Sequence, residues 1–557
     1  MPLDSLVSGR IATFAGPTGF GWVEAIGIKG GRVAFAGSAV DLESRADPHT
    51  ERFELEPGEI AIPGLIDAHL HLVDAALEAD RLDLTSAATL DEGLAAIAAQ
   101  HATLPPGAWL EGAGWDQRRW GRWPTAADLD RAAPGRPVAL WSFDHHAVWA
   151  SSTALVAARL GPETREPEGG IIRRVAGTPG AGSAGALGEP EGVLLENAAG
   201  LLDAVVPQPT ETAVERAVVA MGRSLLALGV VGVHDPGFLS DDPDLRMHAL
   251  LGHLADRADL PVRVHAGVRV PGLDRALELG VQSGDRLGQG GRDVPDRARV
   301  GWLKLFADGT LGSRTAALLD PIGGSRPEPG AGERGVFTTP PAMLGELARR
   351  AADGGIATQI HAIGDAAVRA SLDALAPTET GVLLMPRVEH VQLCQPVDRE
   401  RFATLGVAAS VQPVHLREDA ATARRDWGDR AEPWGYAWRS LIDAGAIVAF
   451  GTDAPVEPID PWPGIAMSIL RRWPGWPPDA DPFGLQEALS LDQALRAASV
   501  APAAAAREPL RGRLVPGAPA DLIVLPAAPR EPDEAAAAFA AVRPRLVMVD
   551  GEVTFER

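Results

Sequence analysis

The chain has 557 residues, 46% of them hydrophobic, and a formal net charge of -23 at pH 7. So large an apolar fraction in a chain of this length excludes a disordered polypeptide and predicts a sizeable buried core. The negative charge argues against nucleic acid and anionic membrane surfaces, which attract basic faces. We therefore expect a small-molecule substrate, with a homodimer as the expected assembly.

Cysteine usage limits which atoms can bind a metal, and the N-terminus indicates the cellular compartment. Cys394 is the only cysteine, so the chain has no internal disulfide and no thiolate cluster for a metal. The N-terminus lacks the basic start and apolar core of a signal peptide, and no apolar run is long enough to cross a bilayer. A cytoplasmic protein is expected, in which nitrogen and oxygen atoms bind any metal.

Both ends of the chain have the pattern of short antiparallel strands. Residues 7–60 contain alternating segments that are broken by turns such as Gly30-Gly31, and this pattern is typical of hairpins. Residues 520–525 and 546–555 repeat it. The prediction is a small β-sandwich built from both termini, with residues 1–60 and 506–557 as its two parts.

The middle of the chain, residues 61–505, alternates short β-branched runs with amphipathic helical windows, which is typical of a parallel sheet with crossover helices. Eight candidate strands end near Asp67, His234, Val268, Phe306, His361, His390, Gln412 and Asp453. This count predicts an α/β fold, a (β/α)8 TIM-like barrel. In such a barrel, functional residues gather at the carboxyl ends of the strands.

A long insertion at about residues 74–220 separates the first two predicted strands. It is rich in tryptophan, with Trp109, Trp115, Trp120, Trp123, Trp141 and Trp149. A segment of this length above the barrel mouth could cover an active site. The alternative is that the tryptophans form the insertion's own core, and the sequence leaves both open.

Two histidines, His69 and His71, follow the first predicted strand and are one residue apart. Side chains of an extended strand alternate between its faces, so this spacing directs both imidazoles towards one metal ion. Asp453, on the eighth strand, lies beside the first strand once the barrel closes. It would add a carboxylate to the same ion.

A second group of metal-binding residues is predicted at neighbouring strand ends. His361 and His390 end consecutive strands, so they would lie close together and could bind a second ion. Lys304, on the fourth strand, would lie between the two groups. Its ammonium would repel the cations, so this lysine fits only if it is modified or contacts the substrate.

The motifs that carry these residues cover almost the whole chain. They are residues 63–71, 304–309, 312–314, 361–365, 389–390, 451–457 and 517–522. With them the chain resembles the amidohydrolase superfamily, in its YtcJ-like branch, which includes N-substituted formamide deformylases. The resemblance implies a metal-bearing barrel with a composite β-sandwich. It also implies that CO2 carbamylates Lys304 to a bridging carboxylate, which would remove the conflicting positive charge.

The expected cofactor is one or two divalent metal ions, with zinc as the first choice. A bound zinc lowers the pKa of its water to about 7, and the resulting hydroxide attacks the substrate carbonyl. Asp453 is the expected general base, which takes a proton from the water and passes it to the leaving nitrogen. The alternative is a single ion bound by the histidines and Asp453, with Lys304 unmodified.

Six further residues are candidates for contacts to the substrate or to the metal ligands: Asp308, Arg314, His146, Trp115, Gln412 and His415. The sequence leaves a structural alternative open for several of them. Asp308 also fits a turn after the fourth strand, and Arg314 also fits a solvated loop. His146 and Trp115 also fit the core of the insertion.

The expected reaction is hydrolysis of a C-N bond in an amide-type, non-peptide small molecule. The resemblance leaves heterocycle deamination and carbamate or ester hydrolysis as alternatives. Single-metal deaminases of this superfamily typically carry a glutamate three residues after the fifth-strand histidine, where this chain has Gly364. The alternative of another class is a catalytically silent relative that binds a ligand. Such a relative would be expected to lack a metal ligand, and the predicted set is complete.

Overall fold

The structure, a computed structural model, describes residues 3–557 except 80, 168, 176–187, 204, 208, 240–241, 291–295, 324–332, 377–382, 474, 478 and 527–540. Within the described residues, the strands form two sheets of eight strands and one of six. No helix among these residues is long and apolar enough to cross a membrane.

The central sheet is a parallel barrel. Its strands in chain order are Leu65–Asp67, Val230–Asp235, Arg263–Arg269, Ala298–Phe306, Thr358–Ala362, Arg387–His390, Ala408–Val411 and Val448–Phe450. Each strand pairs with the next in parallel. The backbone N–H of Ala68 donates to Phe450 O at 2.8 Å, which joins the last strand to the end of the first. The predicted (β/α)8 barrel is therefore confirmed.

Helices surround the barrel and bury one face each. The helix Glu211–Ala227, for example, begins at Thr210, whose side chain accepts from the N–H of Ala213. Its buried side chains recur at helical spacing towards the barrel. The other longer helices of this part are Leu72–Glu78, Arg246–Asp256, Leu273–Leu279, Pro341–Asp353, Asp365–Leu375, Pro396–Leu405, Leu416–Trp427, Trp438–Asp443, Pro461–Leu470, Leu491–Ala497 and Val500–Ala505.

The two ends of the chain form one eight-stranded sheet with its own apolar core. Strand Ile60–Pro63 joins the ends, because it pairs with Ser5–Ala12 on one side and with Leu522–Leu525 on the other. The chain then enters the first barrel strand, so this sheet anchors the segment that carries His69. Its remaining strands are Trp22–Lys29, Arg32–Gly37, Glu51–Glu54, Leu546–Val549 and Glu552–Glu556, and helix Ala39–Glu43 lies between two of them.

The insertion forms the six-stranded sheet, which the sequence did not predict. Its strands are Leu82–Asp83, Leu110–Trp115, Val138–Ser142, Ala147–Ala150, Gly170–Arg174 and Pro190–Glu196. Helices Leu90–Thr103, Gln117–Trp120, Ala126–Ala132, Ser152–Ala157 and Gly200–Asp203 accompany them. The insertion is therefore a folded unit with its own sheet.

Tryptophans form much of the core of this unit. Trp115 and Trp149 are fully buried, and Trp120 and Trp123 pack against Trp115 with ring centroids 6.5 and 6.1 Å away. The indole N–H of Trp115 donates to Leu140 O at 2.7 Å. Trp115 is thus a core residue of the insertion, which corrects its prediction as a substrate contact.

Candidate active site

A cavity of about 600 Å³ lies at the carboxyl ends of the barrel strands. It is lined by all six predicted metal ligands: His69, His71, Lys304, His361, His390 and Asp453. The opposite wall comes from the insertion, with Trp141, Phe143, His145, His146, Val148 and Glu196 among its residues. The insertion therefore covers the barrel mouth, as one of the two sequence interpretations proposed.

Asp67 holds together the two segments that carry His69 and Asp453. Its carboxylate accepts from the backbone N–H of His69 at 3.0 Å and from Thr452 Oγ1 at 2.7 Å. The first strand ends at Asp67, so the histidine pair follows the strand and is not part of it. The pair still faces the cavity, because the backbone of this segment bonds to that of residues 453 and 454.

The two imidazoles meet one oxygen of Asp453. Oδ1 of Asp453 is 3.3 Å from Nε2 of His69 and 3.7 Å from Nε2 of His71. Two ligands about 2.1 Å from a tetrahedral zinc lie about 3.4 Å apart. The donor types and spacings of this group therefore fit a divalent cation.

Hydrogen bonds fix the orientation of each imidazole in this group. His69 Nδ1 is 2.6 Å from Oε2 of Glu389, and His71 Nδ1 is 3.2 Å from Gly237 O. An N–H donated from Nδ1 leaves the lone pair of Nε2 for a metal. Burial disfavours the ionised form of Glu389, but Arg387 and His69 outweigh it and lower the pKa of that carboxyl to about 2.

His361 and His390 form a second group with ring centroids 4.5 Å apart. Nε2 of His361 is 3.1 Å from Gly309 O, which leaves Nδ1 for a metal. Nδ1 of His390 is 2.8 Å from Oε1 of Gln412, which leaves Nε2. Gln412 therefore holds the imidazole of His390, and its role in orienting a metal ligand stays a prediction.

Left-handed backbone occurs at two of the candidate ligands. His390 has a φ of 71° and Asp453 a φ of 63°. Non-glycine residues rarely adopt this conformation, and it concentrates at functional sites. At His390 it lets two consecutive residues, Glu389 and His390, both face the barrel interior.

Lys304 lies beside His69 and is almost fully buried. Its Nζ is 3.5 Å from Nε2 of His69 and 4.8 Å from the centroid of the Phe306 ring. Burial lowers the pKa of the Lys304 ammonium to about 8, although Glu389 and Asp453 oppose this shift. The carbamate and the bridging role of Lys304 stay predictions.

The second oxygen of Asp453 faces other groups. Oδ2 is 3.5 Å from Nε2 of His415 and 3.8 Å from Nδ1 of His390. Burial raises the pKa of this carboxyl, but His69, His390 and His415 together lower it well below the ordinary value. His415 lines the cavity, as expected for a substrate contact.

Two more predicted residues, His146 and Asp308, also line the cavity. His146 Nδ1 is 2.7 Å from Oε2 of Glu196, and its ring centroid is 5.7 Å from that of His361. Asp308 accepts backbone N–H groups of Ala317, Ile363 and Gly364. Burial raises its pKa to about 7 despite these bonds. Asp308 thus shapes the loops beside His361.

Arg314 lies away from the cavity, which corrects its prediction as a clamp for an anionic substrate group. Its guanidinium forms an ion pair with Asp426, with Nη2 3.1 Å from Oδ1. The carboxylate of Asp426 is buried and satisfies the guanidinium, so Arg314 ties the loop after the fourth strand to the helix Leu416–Trp427.

Sequence reasoning assigned no role to several polar residues around the candidate ligands: Asp67, Arg387, Glu196 and Glu389, although Asp67 and Glu389 lie within the quoted motifs. One signal could have found two of them. Arg387 and Glu389 are opposite charges two residues apart in a strand that is otherwise apolar before His390. Charges in a buried strand require partners, so such a pair indicates a polar network.

Comparison with known proteins identifies the family. The model of the amidohydrolase family matches residues 57–555. The chain belongs to this family. This amidohydrolase is 30% identical to YtcJ of Bacillus subtilis (strain 168), itself named as an amidohydrolase, over 96% of both chains. It is 29% identical to an N-substituted formamide deformylase of Arthrobacter pascens, over 96% of this chain and 95% of that one.

Solved structures agree with this assignment. An uncharacterized metal-dependent hydrolase from Pyrococcus horikoshii OT3 is 25% identical, with a TM-score of 0.73 over 94% of this chain and 97% of that one. Another from Pyrococcus furiosus is 26% identical, with a TM-score of 0.70 over 93% and 98%. The amidohydrolase is therefore a hydrolase whose structural relatives depend on metals.

Proposed function

We propose that this amidohydrolase uses one or two divalent metal ions, zinc first among them, to hydrolyse a C-N bond of an amide-type, non-peptide small molecule. The observation that carries the proposal is the convergence of His69 Nε2, His71 Nε2 and Asp453 Oδ1, with 3.3 and 3.7 Å between the imidazoles and the carboxylate. Four further groups support a complete site: Lys304, His361, His390 and the second oxygen of Asp453.

A bound divalent cation would lower the pKa of a water so that the water ionises near neutral pH. The cation would also polarise the substrate carbonyl. His69, His71 and Asp453 would hold one ion, and His361 and His390 a second. We propose that Lys304 bridges the two as a carbamate. Its burial supports this role, because a neutral amine is the form that reacts with CO2 and an ammonium is costly in the barrel interior.

Residues of the chain transfer a proton from the water to the leaving nitrogen. Oδ1 of Asp453 faces the two imidazoles, so Oδ2 is the oxygen available to take a proton from the attacking water. The same oxygen then returns the proton to the leaving nitrogen, since an amine leaves poorly as an anion. His415, 3.5 Å from Oδ2, is placed to contact the substrate beside this oxygen.

The surroundings of Gly364 disfavour the deaminase alternative. A Cβ added at Gly364 would lie 1.9 Å from the backbone oxygen of Ala317. The glutamate that single-metal deaminases typically carry at this place therefore has no room here. The similarity to an N-substituted formamide deformylase supports amide hydrolysis instead.

The apolar part of the insertion wall supports an apolar substituent on the substrate nitrogen. Trp141, Val148, Leu202 and Val206 line the cavity opposite the metal ligands. Apolar walls with a few polar groups at one end are typical of small-molecule sites. A substrate would thus place its carbonyl at the ligands and its apolar group against the insertion.

Activity assays on zinc-loaded protein test the proposal. The substrates would be N-formyl amines, N-acyl amino acids, cyclic imides and carbamates, with heterocyclic amines as the deamination control. We expect turnover of at least one amide-type compound, and faster turnover when the N-substituent is apolar. Ammonia release from the heterocycles without amide hydrolysis would favour the deaminase, and zinc binding without any turnover would favour the silent relative.

A further inference from the structure

A buried arginine lies in the barrel interior, two residues before Glu389 on the sixth strand. Residues two apart on a strand share a face, and both side chains are fully buried. Nε of Arg387 is 2.7 Å from Oε1 of Glu389. The other oxygen, Oε2, is 2.6 Å from Nδ1 of His69. Glu389 therefore joins a buried cation to a candidate metal ligand.

The guanidinium of Arg387 is held by three other barrel strands. Oε1 of Gln359 accepts from its Nε at 3.2 Å and from Nη2 at 2.5 Å. Nη1 is 3.0 Å from Nδ1 of His234. The Trp302 ring lies under the guanidinium, 3.9 Å from ring centroid to Cζ. With these contacts the cation keeps one position, and the Glu389 carboxylate is fixed by it.

The position of Glu389 matters for the metal site because a buried carboxylate needs a partner. Without the guanidinium, the Glu389 carboxylate loses the contact that holds it and would turn away from His69. The N–H of His69 Nδ1 would then lose its acceptor. The imidazole would then lose the bond that fixes its tautomer and directs Nε2 to the metal.

We propose that Arg387 is a positioning residue of the metal site, which orients His69 through Glu389 and so sets the affinity of the site for a divalent cation. The proposal rests on the proposed function in one respect, that His69 binds a metal. The competing explanation is an ion pair that only stabilises the barrel. A buried arginine elsewhere in the chain separates the two explanations.

Arg471 is the matched control. It is fully buried and stacks on Trp438, with its Cζ 4.3 Å from the ring centroid. Its guanidinium donates to the backbone oxygens of Phe483 and Tyr436 at 2.8 and 3.1 Å. Arg471→Met therefore removes a buried, stacked guanidinium from a place with no link to His69 among the described hydrogen bonds.

The test is the zinc dissociation constant of the metal-free full chain, measured by competition with a chromophoric chelator. We expect zinc binding to weaken at least about tenfold in Arg387→Met and in Glu389→Gln, and to stay within about twofold in Arg471→Met. The double variant Arg387→Met/Glu389→Gln should bind zinc no more weakly than whichever single variant has the lower zinc affinity, because both changes act through His69. Circular dichroism verifies that each variant is folded.

The direction of the change in zinc affinity separates positioning from simple charge removal. Removal of a positive charge near a cation would by itself strengthen binding, so weaker binding in Arg387→Met identifies loss of positioning. Unchanged or tighter binding in the folded variant overturns the proposal. If Arg387→Met does not fold, Arg387→Gln, which also removes the positive charge, decides by the same criterion, with unchanged affinity again overturning the proposal. Absence of zinc binding in the wild type instead contradicts the proposed function.

Discussion

At the scale of single residues, the two oxygens of Asp453 have different surroundings. Oδ1 faces His69 and His71, and Oδ2 faces His390 and His415. One oxygen can thus bind a cation while the other carries a proton. His69, His390 and His415 lower the pKa of Asp453 in spite of its burial.

Substitution of this carboxylate tests its role. Asp453→Asn should keep the fold and lower kcat by about 10²- to 10⁴-fold, because the amide accepts no proton from water. Steady-state kinetics on a substrate found by the screen measure the loss. Asp426→Asn is the control, since Asp426 is also buried but pairs with Arg314 outside the cavity. Full turnover in Asp453→Asn would exclude this residue as the base.

The candidate ligands could be placed at one end of the barrel from the sequence, while their supporting partners mostly could not. His361, His390 and Asp453 stand at the ends of apolar runs, where a barrel gathers functional groups. Arg387 depends on Gln359 and His234, and only the register across the barrel brings these together. Arg314 pairs with Asp426, 112 positions away, and no local pattern indicates such a partner.

At the scale of elements, the sheet of the insertion is the part that the sequence did not predict. Strand Leu110–Trp115 contains Gly112 and Gly114, which are disfavoured in strands. A Cβ at Gly112 would lie 2.3 Å from Leu82 O, and one at Gly114 would lie 2.6 Å from Thr85 N. Glycine is required here for close backbone approach, so the strand lacks the usual alternating pattern. The barrel strands are short β-branched apolar runs, and the sequence predicted them.

Two tryptophans of the insertion should respond differently to substitution. Trp115→Ala should lower the free energy of unfolding by about 3–5 kcal/mol, because it leaves a cavity in the core of the insertion. Trp141→Ala should change KM more than stability, since Trp141 is part of the cavity wall and stacks on His145. Urea denaturation and steady-state kinetics measure the two effects. The reverse pattern would refute the assignment of Trp115 to the core and Trp141 to the site.

At the scale of the whole molecule, the active-site groups depend on closure of the barrel. His69 follows the first strand and Asp453 follows the eighth, and the backbone N–H of Asp453 donates to His69 O at 2.7 Å. The terminal sheet is tied to the barrel by Arg263, whose Nη1 is 2.6 Å from Oδ2 of Asp521. A metal that binds His69 and Asp453 would therefore join the first and the eighth strands of the barrel.

Metal removal should then lower the stability of the whole protein. A ligand that binds only the folded state stabilises it by about 2.7 kcal/mol at a free concentration 100 times its Kd. We expect a chelator to lower the thermal unfolding temperature and zinc to restore it. His69→Ala should lose this response to zinc. An unfolding temperature that is the same with chelator and with zinc would argue against a metal between His69 and Asp453.

Anomalous diffraction from crystals of the zinc-loaded protein tests the central claim most directly. Data collected on both sides of the zinc absorption edge should place a peak between His69 Nε2, His71 Nε2 and Asp453 Oδ1. A second peak beside His361 and His390, with extra density on Lys304, would establish the two-ion form. Absence of any zinc peak at these side chains would contradict the account.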